Sequence, residues 1–135
     1  MKNAVFEMEM KVRDYECDLQ GIVNNANYQH YLEHTRHEFL ESMGGNFGRL
    51  HNEGIDAVIN RVEIDYRTSL KSGDRFISML SLTRRGPKVI FFQEIYRLPD
   101  RQLCIKAVVE NVIVKDGKLT RGDEFDLYFA NYYAE

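Results

Sequence analysis

From Val5 to Asp14 the side chains alternate, with Phe6, Met8, Met10 and Val12 apolar and Glu7, Glu9, Lys11 and Arg13 between them. A period of two predicts a half-buried strand. Near Asn27 the period lengthens. Tyr28, Tyr31, Leu32, Thr35, Phe39, Leu40 and Met43 recur every three or four residues, while Gln29, Glu33, Arg36, His37 and Glu41 fall largely on the other side. This predicts one amphipathic helix of about five turns, ended by Gly44 and Gly45. Residues 47–56 are polar and glycine-punctuated, a loop with room for a short helix. From Ala57 the period of two returns, with Val58, Val62, Ile64 and Tyr66 on one face and Arg61, Glu63 and Asp65 on the other.

Three further strands follow. Ser72-Gly73-Asp74 turns the chain into Arg75–Arg84, Gly86-Pro87 turns it into Lys88–Leu98, and Pro99-Asp100 turns it into Leu103–Lys115. The last of these is apolar on both faces, which predicts an interior place in the sheet. Asp116-Gly117 is a two-residue hairpin signal, so Lys118–Arg121 is expected to pair back briefly. The aromatic tail from Asp123 to Tyr133 is expected to open with a short helix. One strand, one long helix and a run of antiparallel strands make an α+β domain spanning residues 1–135. Apolar residues on both faces of the later strands need more cover than one helix supplies, so pairing of two copies through a sheet edge is expected.

Composition narrows the function. Eighteen basic and 21 acidic residues give a net charge of −3, and they are intermingled. No basic stripe tracks a nucleic-acid backbone. No stretch is long and apolar enough to enter a bilayer. Cys17 and Cys104 lie far apart in a chain with no apolar leader, which reads as reduced thiols and a cytoplasmic location. His30 and His34 have the spacing of a metal pair, but no partner completes a zinc pattern, so they read as solvated and no metal is expected. A thiolate at Cys17 is disfavoured by the neighbouring Asp18.

The stretch with chemistry is Asp18-Leu19-Gln20-Gly21-Ile22-Val23-Asn24-Asn25-Ala26-Asn27-Tyr28. It delivers a carboxylate just ahead of a helix start, where exposed N–H groups favour negative charge. A base or nucleophile beside donors for an oxyanion suits acyl transfer, whereas a plain capped turn would serve only to start the helix.

The segment from Tyr15 to Tyr28, followed by Tyr31-Leu32-Glu33 and Arg36, resembles the hot dog-fold acyl-CoA thioesterases. Within these it is most similar to the 4-hydroxybenzoyl-CoA thioesterase group and its Tol-Pal-associated and plant acyl-lipid relatives. The likeness continues through the strand ending at Tyr66, the Ser72-Gly73-Asp74 turn, the Gly86 hairpin and Phe92-Gln93-Glu94-Ile95. It implies a hot dog fold, one long central helix wrapped by a curled antiparallel sheet of five or six strands, assembled as a homodimer or homotetramer. It also implies hydrolysis of an acyl-CoA without a cofactor. Asp18 would be the catalytic nucleophile or general base, and the Asn25 backbone N–H would polarise the thioester oxygen. Gly21, Ile22, Val23 and Tyr28 would line the substrate site, and Arg84, Arg85 and Lys88 would meet the coenzyme A phosphates. The alternatives are an acyl-carrier-protein thioester as substrate, or an acyl-CoA-binding domain without turnover.

Overall fold

The computed structural model describes residue 1 and residues 3–134. Strand β1 (Phe6–Lys11) is followed by a 3-10 turn at Asp14–Glu16, helix α1 (Asn25–Ser42) and helix α2 (Phe47–Asn52). Strands β2 (Ile55–Tyr66), β3 (Arg75–Arg85), β4 (Lys88–Leu98) and β5 (Leu103–Lys115) complete the main sheet. The short β6 (Lys118–Leu119), α3 (Asp126–Phe129) and β7 (Tyr133–Ala134) close the chain. The long strands lie in the order β1-β3-β4-β5-β2, all antiparallel. The sheet curls around α1, the α+β hot dog arrangement that the resemblance implies. Helix α1 has 18 residues, matching the expected five turns.

The helix starts at Asn25, two residues earlier than the apolar period alone indicates, capped by Asn24, whose side-chain oxygen accepts the Ala26 N–H at 3.0 Å. It buries two successive patches. Tyr28, Tyr31 and Leu32 pack with Phe76, Ile95 and Ile105, and one to two turns on, Phe39 and Leu40 pack with Leu80, Phe91 and Phe129. Gly44 stops it with φ +83°, a conformation that favours glycine.

Strand β5 is interior, bonded to β4 and β2, as its doubly apolar pattern requires, with β4 in the middle. Four details depart from the sequence expectation. The first concerns Val58, which does not share a face with Val62: the register runs Ile59↔Asn111 and then Arg61↔Glu110, so Asn60 is a bulge. One extra residue reverses the alternation, placing Ile55 and Ala57 with Val62 against the core and leaving Val58 44% exposed. Secondly, Arg36 is buried rather than on the solvent side of α1. The hairpin partner β6 has only two residues, although its turn is as expected, with positive φ at Asp116 and Gly117. Finally, the tail ends in β7, which pairs parallel with Leu82 and Thr83 of β3 just beyond where β1 stops.

Candidate active site

The Asp18 loop is built by short-range hydrogen bonds and then fastened to the helix. Cys17 faces Val23, the Asp18 N–H donates to the Ile22 carbonyl at 2.9 Å, and the Gly21 N–H donates to the Asp18 carbonyl at 3.0 Å. Gly21 takes φ +79° at the tip, which glycine allows without strain. Ile22 pairs with Lys71, and the Val23 N–H donates to the Leu70 carbonyl at 2.8 Å, which ties the loop to the segment leading into β3. Asp18 is half-buried. Its Oδ1 accepts the Gln20 N–H at 2.8 Å, and its Oδ2 accepts no hydrogen bond among the described residues.

Glu16 joins this loop to α1. It is buried, and its carboxylate accepts the Tyr31 hydroxyl at 2.8 Å, the Arg13 N–H at 2.8 Å and the Arg13 guanidinium at 3.1 Å. Burial, with the hydrogen bond to the carboxylate, pushes the Tyr31 hydroxyl far above its ordinary pKa, so it serves only as a donor. The Glu16 carbonyl accepts the Asn24 N–H at 3.0 Å and the Asn27 amide at 2.7 Å. Only Cys17 lies between Glu16 and Asp18, so these bonds fasten the Asp18 loop to the first turn of the helix.

At that first turn a cleft of about 100 Å³ opens, lined by Val23, Asn25, Tyr28, Tyr66, Arg67 and Thr68 among others. The Tyr28 ring lies edge-on to Tyr66 at 5.8 Å. Its hydroxyl accepts the Leu70 N–H at 3.0 Å, and burial raises its pKa. Tyr28 therefore walls the cleft and belongs to the core at once. Val23 is buried and lines the cleft, whereas Gly21 and Ile22 precede it in the loop and do not line it.

Arg84, Arg85 and Lys88 lie elsewhere. They flank the β3–β4 turn, whereas the Asp18 loop attaches just before β3 begins, so the length of β3, about 30 Å at roughly 3.3 Å per residue, separates them. Arg84 is held by Asp126 at 2.7 Å and Asp123 at 3.2 Å, and Lys88 by Glu110 at 2.9 Å. Arg85 is exposed. His30 bonds Asn27 at 3.3 Å and His34 pairs with Glu38 at 3.8 Å, and among the described residues no three His, Cys, Asp or Glu side chains gather in a metal-holding group. Both cysteines are free thiols. No helix among the described residues is long and apolar enough to cross a membrane.

Polar residues that periodicity assigned to the surface, or left without a role, line the interior instead. Arg36 donates to Gln93 at 2.9 Å, and Gln93 donates to the Leu32 carbonyl at 3.0 Å, pinning α1 to the middle strand. Gln93 and Asn111 each occupy a core-facing position within an otherwise apolar strand, the one signal that sequence carries for such residues.

Residues 12–127 match the thioesterase-like superfamily. The chain is 38% identical over 102 residues to a chloroplast acyl-acyl carrier protein thioesterase of Arabidopsis thaliana, covering 75% of this chain and 54% of that protein. It thus spans about half the length of the first curated relatives it matches. It is 28% identical over 109 residues to a long-chain acyl-CoA thioesterase of Escherichia coli, covering 80% of this chain and 82% of that one. Among solved structures, a hypothetical protein from Aquifex aeolicus superimposes with a TM-score of 0.83 at 27% identity, covering 91% of this chain and 98% of that chain.

Proposed function

This chain belongs to the thioesterase-like superfamily, and from that premise we propose that it hydrolyses an acyl-CoA to a free carboxylic acid and coenzyme A in the cytoplasm, without a metal or organic cofactor. The observation that carries the reading is Asp18: one carboxylate oxygen is fixed by Gln20, the other accepts no hydrogen bond among the described residues, and Glu16 fastens the loop to the start of α1. That second oxygen either attacks the thioester carbonyl, expelling the thiolate and leaving a mixed anhydride for water to cleave, or takes a proton from the attacking water. The Asn25 N–H, at the first helical residue, donates to the carbonyl oxygen as negative charge grows there. Val23 and Tyr28 line the entry for the acyl group beside it, and Gly21 and Ile22 shape the loop that leads to Val23.

The separation of Arg84, Arg85 and Lys88 from Asp18 within one chain supports an assembly of two or more copies, in which the hairpin of one copy reaches the coenzyme A phosphates held by another. Strand β2 offers the edge for pairing, since it is bonded on one side only and carries Val58 and Ile59 at 44% and 41% exposure.

The test is release of free thiol from short, medium, long and aromatic acyl-CoAs. Wild type turns over at least one of them, and Asp18→Asn loses on the order of 10²-fold or more in rate while staying folded. Binding without thiol release would mark an acyl-CoA-binding domain. A second reading is supported by the Arabidopsis relatives, whose own substrates are acyl-carrier-protein thioesters. Rates for one acyl chain on coenzyme A and on carrier protein separate the two.

A further inference from the structure

Beyond the entry cleft the interior is not sealed. A cavity of about 130 Å³ lies between α1 and the sheet, walled by Phe47, Phe91, Phe125 and Phe129, with Arg36 and Asn111 opening onto it. Both polar residues are more than nine-tenths buried, Arg36 at 7% exposure and Asn111 at 4%. Neither is fully satisfied. Arg36 spends one N–H on Gln93 and has no ion-pair partner among the described residues, and burial pushes its guanidinium down to about 10 despite the field of Glu33. The Asn111 amide nitrogen reaches the Val89 and Val109 carbonyls only at 3.4 and 3.5 Å, and its side-chain oxygen, which is not sealed from solvent, accepts no hydrogen bond among the described residues. Asn111 stands opposite Ile59 at the edge of the Asn60 bulge, and Ile59 lines the same cavity.

The cavity and the proposed reaction centre lie along one face of α1. Asn25 lies at the cleft, Gln29 at a narrow neck that also includes Ile59 and Val62, and Arg36 borders both the neck and the cavity. Positions 25, 29 and 36 project in nearly the same direction around a helix, and eleven residues at 1.5 Å each place Arg36 about 16 Å from the helix start. A single aromatic ring attached to the thioester is too short to span that distance, whereas an extended acyl chain reaches it.

At the far end such a chain meets a charged donor and an open acceptor among phenylalanines. A hydroxyl group satisfies both, accepting from Arg36 and donating to Asn111. The Glu33 and Asp56 carboxylates on the same wall outnumber the single Arg36 guanidinium, which disfavours a further negative charge there. We propose that the Arg36–Asn111 cavity receives the distal end of an extended acyl chain and selects chains that carry a hydroxyl group there. The substrate part of this assignment rests on the thioesterase reading, but the binding part does not.

The experiment compares acyl-CoAs of equal length ending in a methyl, a hydroxyl or a carboxylate group, and in parallel measures binding of the corresponding free acids by calorimetry. Wild type is expected to favour the hydroxylated member at least tenfold in kcat/KM and in affinity, the scale of a hydrogen bond to a charged group. Arg36→Met and Asn111→Leu each bring that ratio close to one. If Arg36→Met fails to fold, the wild-type ratio and Asn111→Leu decide. Equal or better handling of the unsubstituted chain by wild type overturns the proposal, as does a preference for a terminal carboxylate over the hydroxyl. If no thioester is hydrolysed but the hydroxylated acid still binds tenfold tighter, the thioesterase reading falls and the cavity assignment stands.

Discussion

Glu16 is the residue on which the geometry of the Asp18 loop depends. Its carboxylate accepts three hydrogen bonds and its carbonyl two, binding the 3-10 turn, Tyr31 and the first turn of α1 together. Removing the carboxylate leaves the Tyr31 hydroxyl buried without an acceptor, whereas removing the hydroxyl leaves an anion that retains Arg13. Glu16→Ala is therefore expected to cost about 2 kcal/mol and Tyr31→Phe about 1 kcal/mol, read from urea unfolding midpoints. The double variant should cost less than the sum, because the two share one bond. The turn that carries Asp18 ahead of the helix was legible from the chain because its motif is local. The role of Glu16 was not, since its partner Tyr31 is fifteen residues away and reaches it only once the helix packs.

At the scale of elements, the Asn60 bulge decides which side chains of β2 face inward. Strict alternation would put Val58 inside; the bulge puts Ile55 and Ala57 there and sets Asn111 opposite Ile59 at the kink. Deleting Asn60 restores the alternation and turns Ile55 and Ala57 outward. The expected loss is about 3 kcal/mol, from one or two half-buried apolar side chains and the polar groups exposed in their place, measured by denaturant unfolding. A deletion that leaves stability unchanged would show that the strand re-registers without cost. The helix, by contrast, followed its period closely: Asn24 caps it, Gly44 ends it, and only Arg36 departs from the expected face.

For the whole molecule, the proposed pairing through β2 makes a direct prediction. Wild type is expected to sediment as a dimer or tetramer. Val58→Lys, which places a charge on the unpaired edge, is expected to shift it toward monomer and to lower thiol release if another copy supplies the phosphate contacts. A wild-type monomer with full activity would remove the need for that contact.

The chain by itself determined the α+β class, the strand and helix order, the hairpin turns and the Asp18–Asn25 motif. Each is written in short-range periodicity, turn chemistry or contiguous residues, and so needs no partner distant in sequence. The bulge, the parallel β7, the burial of Arg36 and the cavity it shares with Asn111 came only with the tertiary structure. A polar residue turns inward only when distant strands supply its hydrogen-bond partner, as Gln93 does for Arg36 across 57 residues, and no local pattern records that meeting.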